Sequence, residues 1–297
     1  MNLKKWLVLI WAISALLISH ASWAAPMTYG QTKIAEFGHL ILNHPDYLNA
    51  PQRIMFFSPA ILEAAEKYQI PPEDIAGILY LESAAHPEKC ARPFNVRSAC
   101  GIAQIEYDTA VNYLGLKVDL KKSQRISKKI NKMLATGASW DSPKLNELLQ
   151  ERRRVDDRFD PYKSIDAMGK YLSMSRERLG RIDFSIASYH MGTAGVEKLI
   201  CIYLGIPYRM NVSGLVIKKN LSFPKVYYDC RSHPHSKCWR YLSTRADSSH
   251  QYFWKVQAGK WFFAIWHENN QEYHLLFTQK AYDEYHYSLI DLVGFDY

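Results

Sequence analysis

The sequence predicts a mainly α-helical protein. Between residues 50 and 205, apolar residues recur at helical spacing in segments bounded by capping residues, prolines and glycines. Strand signals are few before residue 210. The composition, 48% hydrophobic and 22% charged over 297 residues, excludes disorder, collagen-like repeats and a multi-span membrane protein.

The first two predicted helices are separated by prolines. Ser58 followed by a proline is typical of an N-cap and a first helical position, so we expect a helix over Ala60–Tyr68. The Pro-Pro pair at 71 and 72 ends that helix and opens the next, Glu73–Ser83. A loop is expected over about 84–99.

Later helices are marked in the same way. They are Ile105–Leu114 closed by Gly115, a helix opened by Ser142-Pro143, a helix from Asp160-Pro161 to about Leu179 that Gly180 stops, and Phe184–Met191 capped by Asp183. Residues 206–240 are predicted to be loop-like, and Tyr252–Trp266 to form an aromatic helix. We interpret 206–297 as an extension packed on a domain spanning 55–205.

Residues 1–24 have the pattern of a secretory signal peptide, with lysines at 4 and 5, a short apolar run and small residues at 22 and 24. An uncleaved anchor is the alternative, but the run is short of the roughly 20 residues that a span needs. With no cysteine at the cleavage point there is no lipobox. We therefore expect a periplasmic or secreted protein without a membrane span after cleavage, and an N-terminal segment over 25–54.

The net charge of +8 suits an acidic partner without choosing one. The basic stretch 117–155 is predicted to be an insertion with a solvated helical face, and if functional it would favour an anionic cell-wall polymer. Export and the lack of any nucleic-acid motif argue against nucleic acid as a partner.

Export also places five cysteines in an oxidising compartment. Two local disulfides, Cys90 with Cys100 and Cys230 with Cys238, leave Cys201 unpaired. The alternative is a zinc site, because two histidines lie between the last two cysteines. The compact spacing favours the disulfide, and no metal is expected.

Glu82 is the first candidate for chemistry. It lies on one helical face with Ile75, Ile78 and Leu79, at i, i+3, i+4 and i+7. Apolar neighbours and the negative end of the helix dipole would raise its pKa, as a general acid requires. A helix-terminal glutamate that turns into solvent is the alternative.

The chain carries a series of motifs in a fixed order. They are Glu82-Ser83, Gly101-Ile102-Ala103-Gln104-Ile105, Thr109-Ala110, Arg158-Phe159-Asp160-Pro161 with Ile165 and Tyr171-Leu172, and Ala187-Ser188-Tyr189-His190-Met191-Gly192. This order resembles the soluble lytic transglycosylase domain, itself similar to goose-type lysozyme, over about half of the chain. The resemblance implies a lysozyme-like helical fold and a peptidoglycan substrate.

The resemblance also implies residue roles. Glu82 matches the sole catalytic acid, which cleaves the β-1,4 bond between N-acetylmuramic acid and N-acetylglucosamine with formation of a 1,6-anhydro ring. Ser83 matches a residue that hydrogen-bonds near the cleaved sugar, Gln104 a residue lining the groove, and Tyr189 a tyrosine that orients the acid. A tyrosine after the domain often joins the cleft, for which Tyr252 is the candidate.

Three departures from the family pattern stand out. Ala103 replaces a methionine, His190 stands where asparagine is usual, and the segment from Glu82 to Gly101 is longer than is common. His190 could contact sugar or titrate, although a lone histidine is more often structural. A disulfide in the long segment would order one wall of the groove.

The sequence thus predicts a lytic transglycosylase that acts on peptidoglycan glycan strands and needs no cofactor. No second acid lies inside a matching motif, and Glu106 and Asp108, which are nearby in the sequence, are expected to be exposed, so a single-acid mechanism fits better than a two-carboxylate one. A non-catalytic peptidoglycan-binding or assembly module and a muramidase that uses water stay open as alternatives.

Overall fold

The computed structural model describes residues 28–47, 49–140, 142–244 and 249–269. All regular elements in these ranges are helices, so the prediction of a mainly α-helical protein is confirmed. The expected signal peptide, 1–24, and the acidic, tyrosine-rich end, 271–297, lie outside the described residues.

The α-helices follow one another along the chain, with a long loop between the fourth and the fifth. In order they are α1 Tyr29–Asn43, α2 Ala50–Phe56, α3 Ser58–Tyr68, α4 Pro72–Ser83, α5 Tyr107–Thr109, α6 Leu120–Ala135, α7 Pro143–Val155, α8 Pro161–Leu179, α9 Ile182–Met191, α10 Thr193–Leu204, α11 Ser213–Lys218, α12 Phe223–Arg231, α13 Lys237–Ser243 and α14 Ser249–Asn269. A π-helical turn, Ala110–Leu114, continues α5 and ends at Gly115 in a left-handed conformation, as predicted.

Three predicted helix starts are wrong. Ser58 is not an N-cap because α2 precedes it directly, and its hydroxyl donates to the Met55 carbonyl at 2.7 Å. Helix α9 begins before Asp183, with Arg181 as its N-cap. The helix expected from Ile105 starts at Tyr107, since the backbone of Ile105 pairs with that of Cys100. Asp160 and Gly180 do bound α8 as predicted.

The loop-like prediction for residues 206–240 is also wrong, because α11, α12 and most of α13 lie there. Prolines that suggest a loop can instead open a helix, where no backbone N–H is required. Pro224 is the second residue of α12, whose N-cap Ser222 accepts a hydrogen bond from the Lys225 N–H. Ser236 caps α13 in the same way through the Trp239 N–H.

The predicted aromatic helix is α14, which packs across α4 and α1. It crosses α4 where two glycines face each other: a Cβ on Gly77 would lie 2.7 Å from the Val256 carbonyl oxygen, and one on Gly259 would lie 2.9 Å from Gly77 Cα. An ion pair between Lys260 and Asp74 lies beside the crossing. The helices run antiparallel and nearly touch through their backbones, as only glycine permits.

The core has two main parts. One apolar cluster joins α4, α8, α9 and α10 with α12 to α14, whereas α6 and α7 close on a small cluster of their own. The members of the small cluster are Ile126, Ile130, Leu145, Leu148 and Leu149. The segment 117–155 thus contains a helical hairpin with its own apolar cluster. Of the helices described here, none is both long and apolar enough to cross a bilayer.

Both predicted disulfides are present, Cys90 with Cys100 and Cys230 with Cys238. Cys201 is buried and outside either bridge. The zinc alternative required the thiolates of Cys230 and Cys238, which the second disulfide removes.

Candidate functional site

The candidate site is built around Glu82 in the last turn of α4. Ile75, Ile78 and Leu79 on the same face are fully buried, and Glu82 itself is partly buried. Helix α4 ends at Ala84 in a left-handed conformation, which places the carboxylate at the edge of the core. The apolar pattern therefore carries Glu82 inward, as the sequence predicted.

Tyr252 holds the Glu82 carboxylate directly. Its hydroxyl donates a hydrogen bond of 2.6 Å to Oε1 of Glu82. The tyrosine lies near the start of α14 and is only 5% exposed. The bond occupies one carboxyl oxygen and leaves Oε2 to carry a proton.

Burial raises the pKa of Glu82 to about 6, because desolvation disfavours the charged form. The Tyr252 hydrogen bond and the nearby charges of His190 and Lys89 lower this pKa and offset part of the burial effect. Glu82 is therefore protonated in a substantial fraction of molecules near pH 6, where an exposed glutamate is almost fully ionised.

His190 covers the outer face of Tyr252. The two rings stack with centroids 4.9 Å apart and an angle of 5° between their planes. His190 is exposed at the end of α9, whereas Tyr252 is buried beneath it. The histidine thus separates the tyrosine from solvent on one side and brings a titratable group close to Glu82.

The Gly101–Gln104 turn packs against the end of α4. Ser83 is fully buried, and its hydroxyl donates to the Ile102 carbonyl at 2.6 Å. The Gln104 side-chain amide donates to the carbonyls of Gly101 at 2.8 Å and Lys89 at 3.0 Å. Ser83, which the resemblance places at the sugar, here fixes the turn, and Gln104 keeps only its side-chain oxygen for a ligand.

Tyr189 lies beside the same turn. Its hydroxyl donates to the Ala103 carbonyl at 2.6 Å, and its ring meets that of Tyr171 edge-on at 5.3 Å. Burial and the charge of Glu82 raise the pKa of Tyr189, so it is close to the carboxylate. The orienting hydrogen bond expected from Tyr189 is nevertheless made by Tyr252.

The backbone around the carboxylate adopts uncommon conformations. Ala84, Ala85 and Gln104 have positive φ values of 52°, 61° and 47°. A left-handed conformation costs a non-glycine residue about 1–2 kcal/mol, and such residues cluster at functional sites. The guanidinium of Arg53 donates to the Ala84 carbonyl at 2.8 Å and helps to hold this segment.

Arg158 stabilises the segment around the Gly101–Gln104 turn, a role that its sequence pattern does not predict. It is fully buried, donates to both carboxylate oxygens of Asp156, and also binds the carbonyls of Val96, Ser98 and Ile105. Gly101 touches its backbone, since a Cβ there would lie 1.8 Å from the Arg158 carbonyl oxygen. Only the position of Arg158 within a family-like motif signalled its importance.

The long loop after α4 is tied down at two points. The Cys90–Cys100 disulfide closes it, and Glu88 pairs with Arg152 and with Arg153, the latter at 2.6 Å. Although burial opposes ionisation, the two guanidinium charges hold the pKa of Glu88 below its ordinary value. One wall of the site is thereby fastened to α7.

Glu106 and Asp108 are exposed, as predicted, and Asp108 pairs with Arg97 at 3.1 Å. Within the described ranges, no three or more histidine, cysteine or acidic side chains are grouped as a metal site requires. The arrangement offers one carboxyl group with a raised pKa, that of Glu82, close to Tyr252, His190 and the Gly101–Gln104 turn.

Comparison with known proteins gives no assignment: no family model matches the chain, and no curated protein is significantly similar to it. The resemblance to lytic transglycosylases therefore rests on the sequence motifs named above.

Proposed function

We propose that the protein is a peptidoglycan lytic transglycosylase with a lysozyme-like catalytic domain and Glu82 as general acid and base. The observation that carries the proposal is the environment of Glu82. A partly buried carboxyl group with a pKa raised to about 6 lies in contact with a buried tyrosine hydroxyl and beside an exposed histidine. These are features of a proton donor that works near neutral pH.

In the proposed reaction, protonated Glu82 gives its proton to the glycosidic oxygen between N-acetylmuramic acid and N-acetylglucosamine. The C1–O bond breaks, and the carboxylate then accepts the proton of the muramyl C6 hydroxyl. That oxygen bonds to C1 and closes the 1,6-anhydro ring. The carboxyl group ends protonated as it began, and no water is consumed.

Tyr252 supports both steps. Its hydrogen bond to Oε1 fixes the carboxyl plane and directs Oε2 to the bond that breaks. It also stabilises the anion that forms after the first proton transfer, because a hydroxyl donor binds a carboxylate more strongly than a neutral acid. His190 adds positive charge beside that anion when it is protonated.

A single acid suffices for this mechanism because the nucleophile belongs to the substrate. Hydrolysis with inversion or retention normally uses two carboxyl groups across the bond. Among the residues that the structure describes, the charged groups that shift the pKa of Glu82 are His190 and Lys89, and neither is a carboxylate. This favours an intramolecular nucleophile over water.

The test is a digest of purified peptidoglycan by the chain without its expected signal peptide, beside the Glu82→Gln variant, with released muropeptides identified by mass spectrometry. Anhydromuramyl ends that disappear in the variant would support the proposal. Reducing muramyl ends that depend on Glu82 would instead indicate a muramidase. Sedimentation with the sacculus without any product would indicate a binding or assembly module.

A further inference from the structure

The positive charge of the chain is concentrated in the hairpin of α6 and α7. Residues 117–155 hold 11 of the 37 lysines and arginines and 4 of the 29 acidic residues, a net charge of +7 against +8 for all 297 residues. Arg152 and Arg153 pair with Glu88 beside the proposed catalytic site, but the cations of α6 have no part in that site. A separate partner must be considered for the hairpin.

Helix α6 carries most of this charge on one side. Its sixteen residues include six lysines and arginines and no acid. The six exposed cations are Lys121, Lys122, Arg125, Lys128, Lys129 and Lys132. At 100° per residue they fall within an arc of roughly 120°. The opposite side, with Ile126 and Ile130, is buried against α7.

Local acids leave this row of cations largely unneutralised. Lys122 lies 3.9 Å from Asp119. Among the carboxylates that the structure describes, none lies within ion-pair distance of Lys121, Arg125, Lys128 or Lys132. A like-charged row of this kind destabilises its own helix, since cations four residues apart repel each other.

An exposed aromatic ring borders the row. Phe94 is 71% exposed and lies in the loop that α6 supports. The Gln124 side-chain amide donates to the Phe94 carbonyl at 2.9 Å, and that of Asn131 donates to the Pro93 carbonyl at 2.6 Å. Gln124 and Asn131 lie on the flank of α6 next to the cations, so the loop that carries the exposed Phe94 borders the row.

We propose that this surface, the cation row of α6 with Phe94, binds the anionic phospholipid headgroups of a membrane. A row of cations on one side of a single helix can lay all six charges on a flat layer of phosphates. A single polymer strand would instead be held in a groove. Each lysine or arginine near such a layer raises the affinity by about fivefold, and an exposed phenylalanine can enter the interface beside them. The inference is independent of the proposed catalytic function.

Sedimentation with vesicles tests it, using the chain without its expected signal peptide. One vesicle set contains phosphatidylcholine alone, and the other equal parts of phosphatidylcholine and phosphatidylglycerol. We expect binding to the mixed vesicles only, weakened by added salt because screening shortens the range of the attraction. Binding to both sets alike, or to neither, would overturn the proposal.

Charge removal then locates the surface. The variant Lys121→Gln/Arg125→Gln/Lys128→Gln/Lys132→Gln should bind mixed vesicles at least about 100-fold more weakly, given the contribution of each charge. The matched control, Lys218→Gln/Lys219→Gln/Lys237→Gln/Arg240→Gln, removes the same charge from exposed positions elsewhere and should bind almost as well as the parent chain. Equal losses in the two variants would contradict a defined surface.

Two further variants separate charge from structure. Lys121→Arg/Lys128→Arg/Lys132→Arg keeps the charge and should keep the binding. Phe94→Ser should weaken it by about tenfold, the value of burying one phenylalanine in the interface. Strong, row-dependent binding to soluble polyphosphate or purified peptidoglycan without binding to vesicles would replace the membrane with a polyanion and overturn the assignment.

Discussion

The hydroxyl of Tyr252 lies 2.6 Å from Oε1 of Glu82, although 170 positions separate the two residues in the chain. The contact exists because α14 lies antiparallel on α4 with almost no space between their backbones. A helix beyond the motif-bearing part of the chain thus completes the surroundings of the proposed catalytic acid. This relationship gives the first of the following predictions.

Replacing Tyr252 by phenylalanine removes the donor but keeps the ring that packs under His190. We expect turnover of peptidoglycan to fall by about 10- to 100-fold, the usual effect of losing one oriented donor to a developing charge. The matched control is Tyr203→Phe, which removes another tyrosine–carboxylate bond of 2.6 Å, to Asp229, away from the site. Equal activity of both variants would contradict the role given to Tyr252.

The His190→Asn substitution tests the histidine through the pH profile. The charge of His190 lowers the pKa of Glu82, so its removal should raise that pKa. A general acid works while protonated, so kcat/KM should fall as pH rises through about 6 in the parent chain. In the variant this fall should occur at higher pH. Rate measurements across pH locate the midpoint of this fall. A midpoint that stays at the same pH or moves to lower pH would refute an electrostatic role of His190.

The raised pKa of Glu82 also predicts a stability cost. In the folded chain Glu82 keeps its proton up to about pH 6, whereas in the unfolded chain it loses the proton at lower pH. Ionisation of Glu82 therefore destabilises the fold as pH rises through this window. Glu82→Gln should therefore be more stable than the parent chain at pH 7.5, by about 1–2 kcal/mol. The gain should vanish near pH 4.

Denaturant unfolding at the two pH values measures this difference. Glu66→Gln, at an exposed position on α3, is the control and should show no such pH-dependent gain. A Glu82→Gln variant that is less stable than the parent chain at both pH values would contradict the prediction that ionised Glu82 destabilises the fold.

The contact between α4 and α14 gives a fourth prediction. A methyl group at Gly77 meets the Val256 carbonyl at 2.7 Å, so Gly77→Ala should destabilise the chain by about 1–3 kcal/mol and reduce activity by shifting Tyr252 away from Glu82. Gly214→Ala is the control, because Gly214 lies in α11 with open space around its Cβ position. Thermal unfolding and turnover of the two variants give the comparison.

The inward orientation of Glu82 and the two disulfides could be predicted from the sequence because their signals are local. The apolar residues at helical spacing before Glu82 define its face, and short cysteine separations define the bridges. Helix α8 was predictable for the same reason, since Asp160 and Gly180 bound it in the chain.

The contacts of the site were less predictable because they depend on packing between distant segments. Helix α14 is aromatic on several sides, so its sequence does not say which ring faces α4. The close approach of the two helices at Gly77 and Gly259 determines which side of α14 faces α4. Likewise, nothing local reveals that Ser83 turns inward or that Arg158 is buried among backbone carbonyls.

The most direct test of the central claim is to digest peptidoglycan in water enriched in oxygen-18 and to identify the new muramyl ends by mass spectrometry. We predict anhydromuramyl ends without the heavy isotope from the parent chain, and none from Glu82→Gln. Labelled reducing ends from the parent chain, or anhydromuramyl ends that persist in Glu82→Gln, would contradict an intramolecular reaction driven by Glu82.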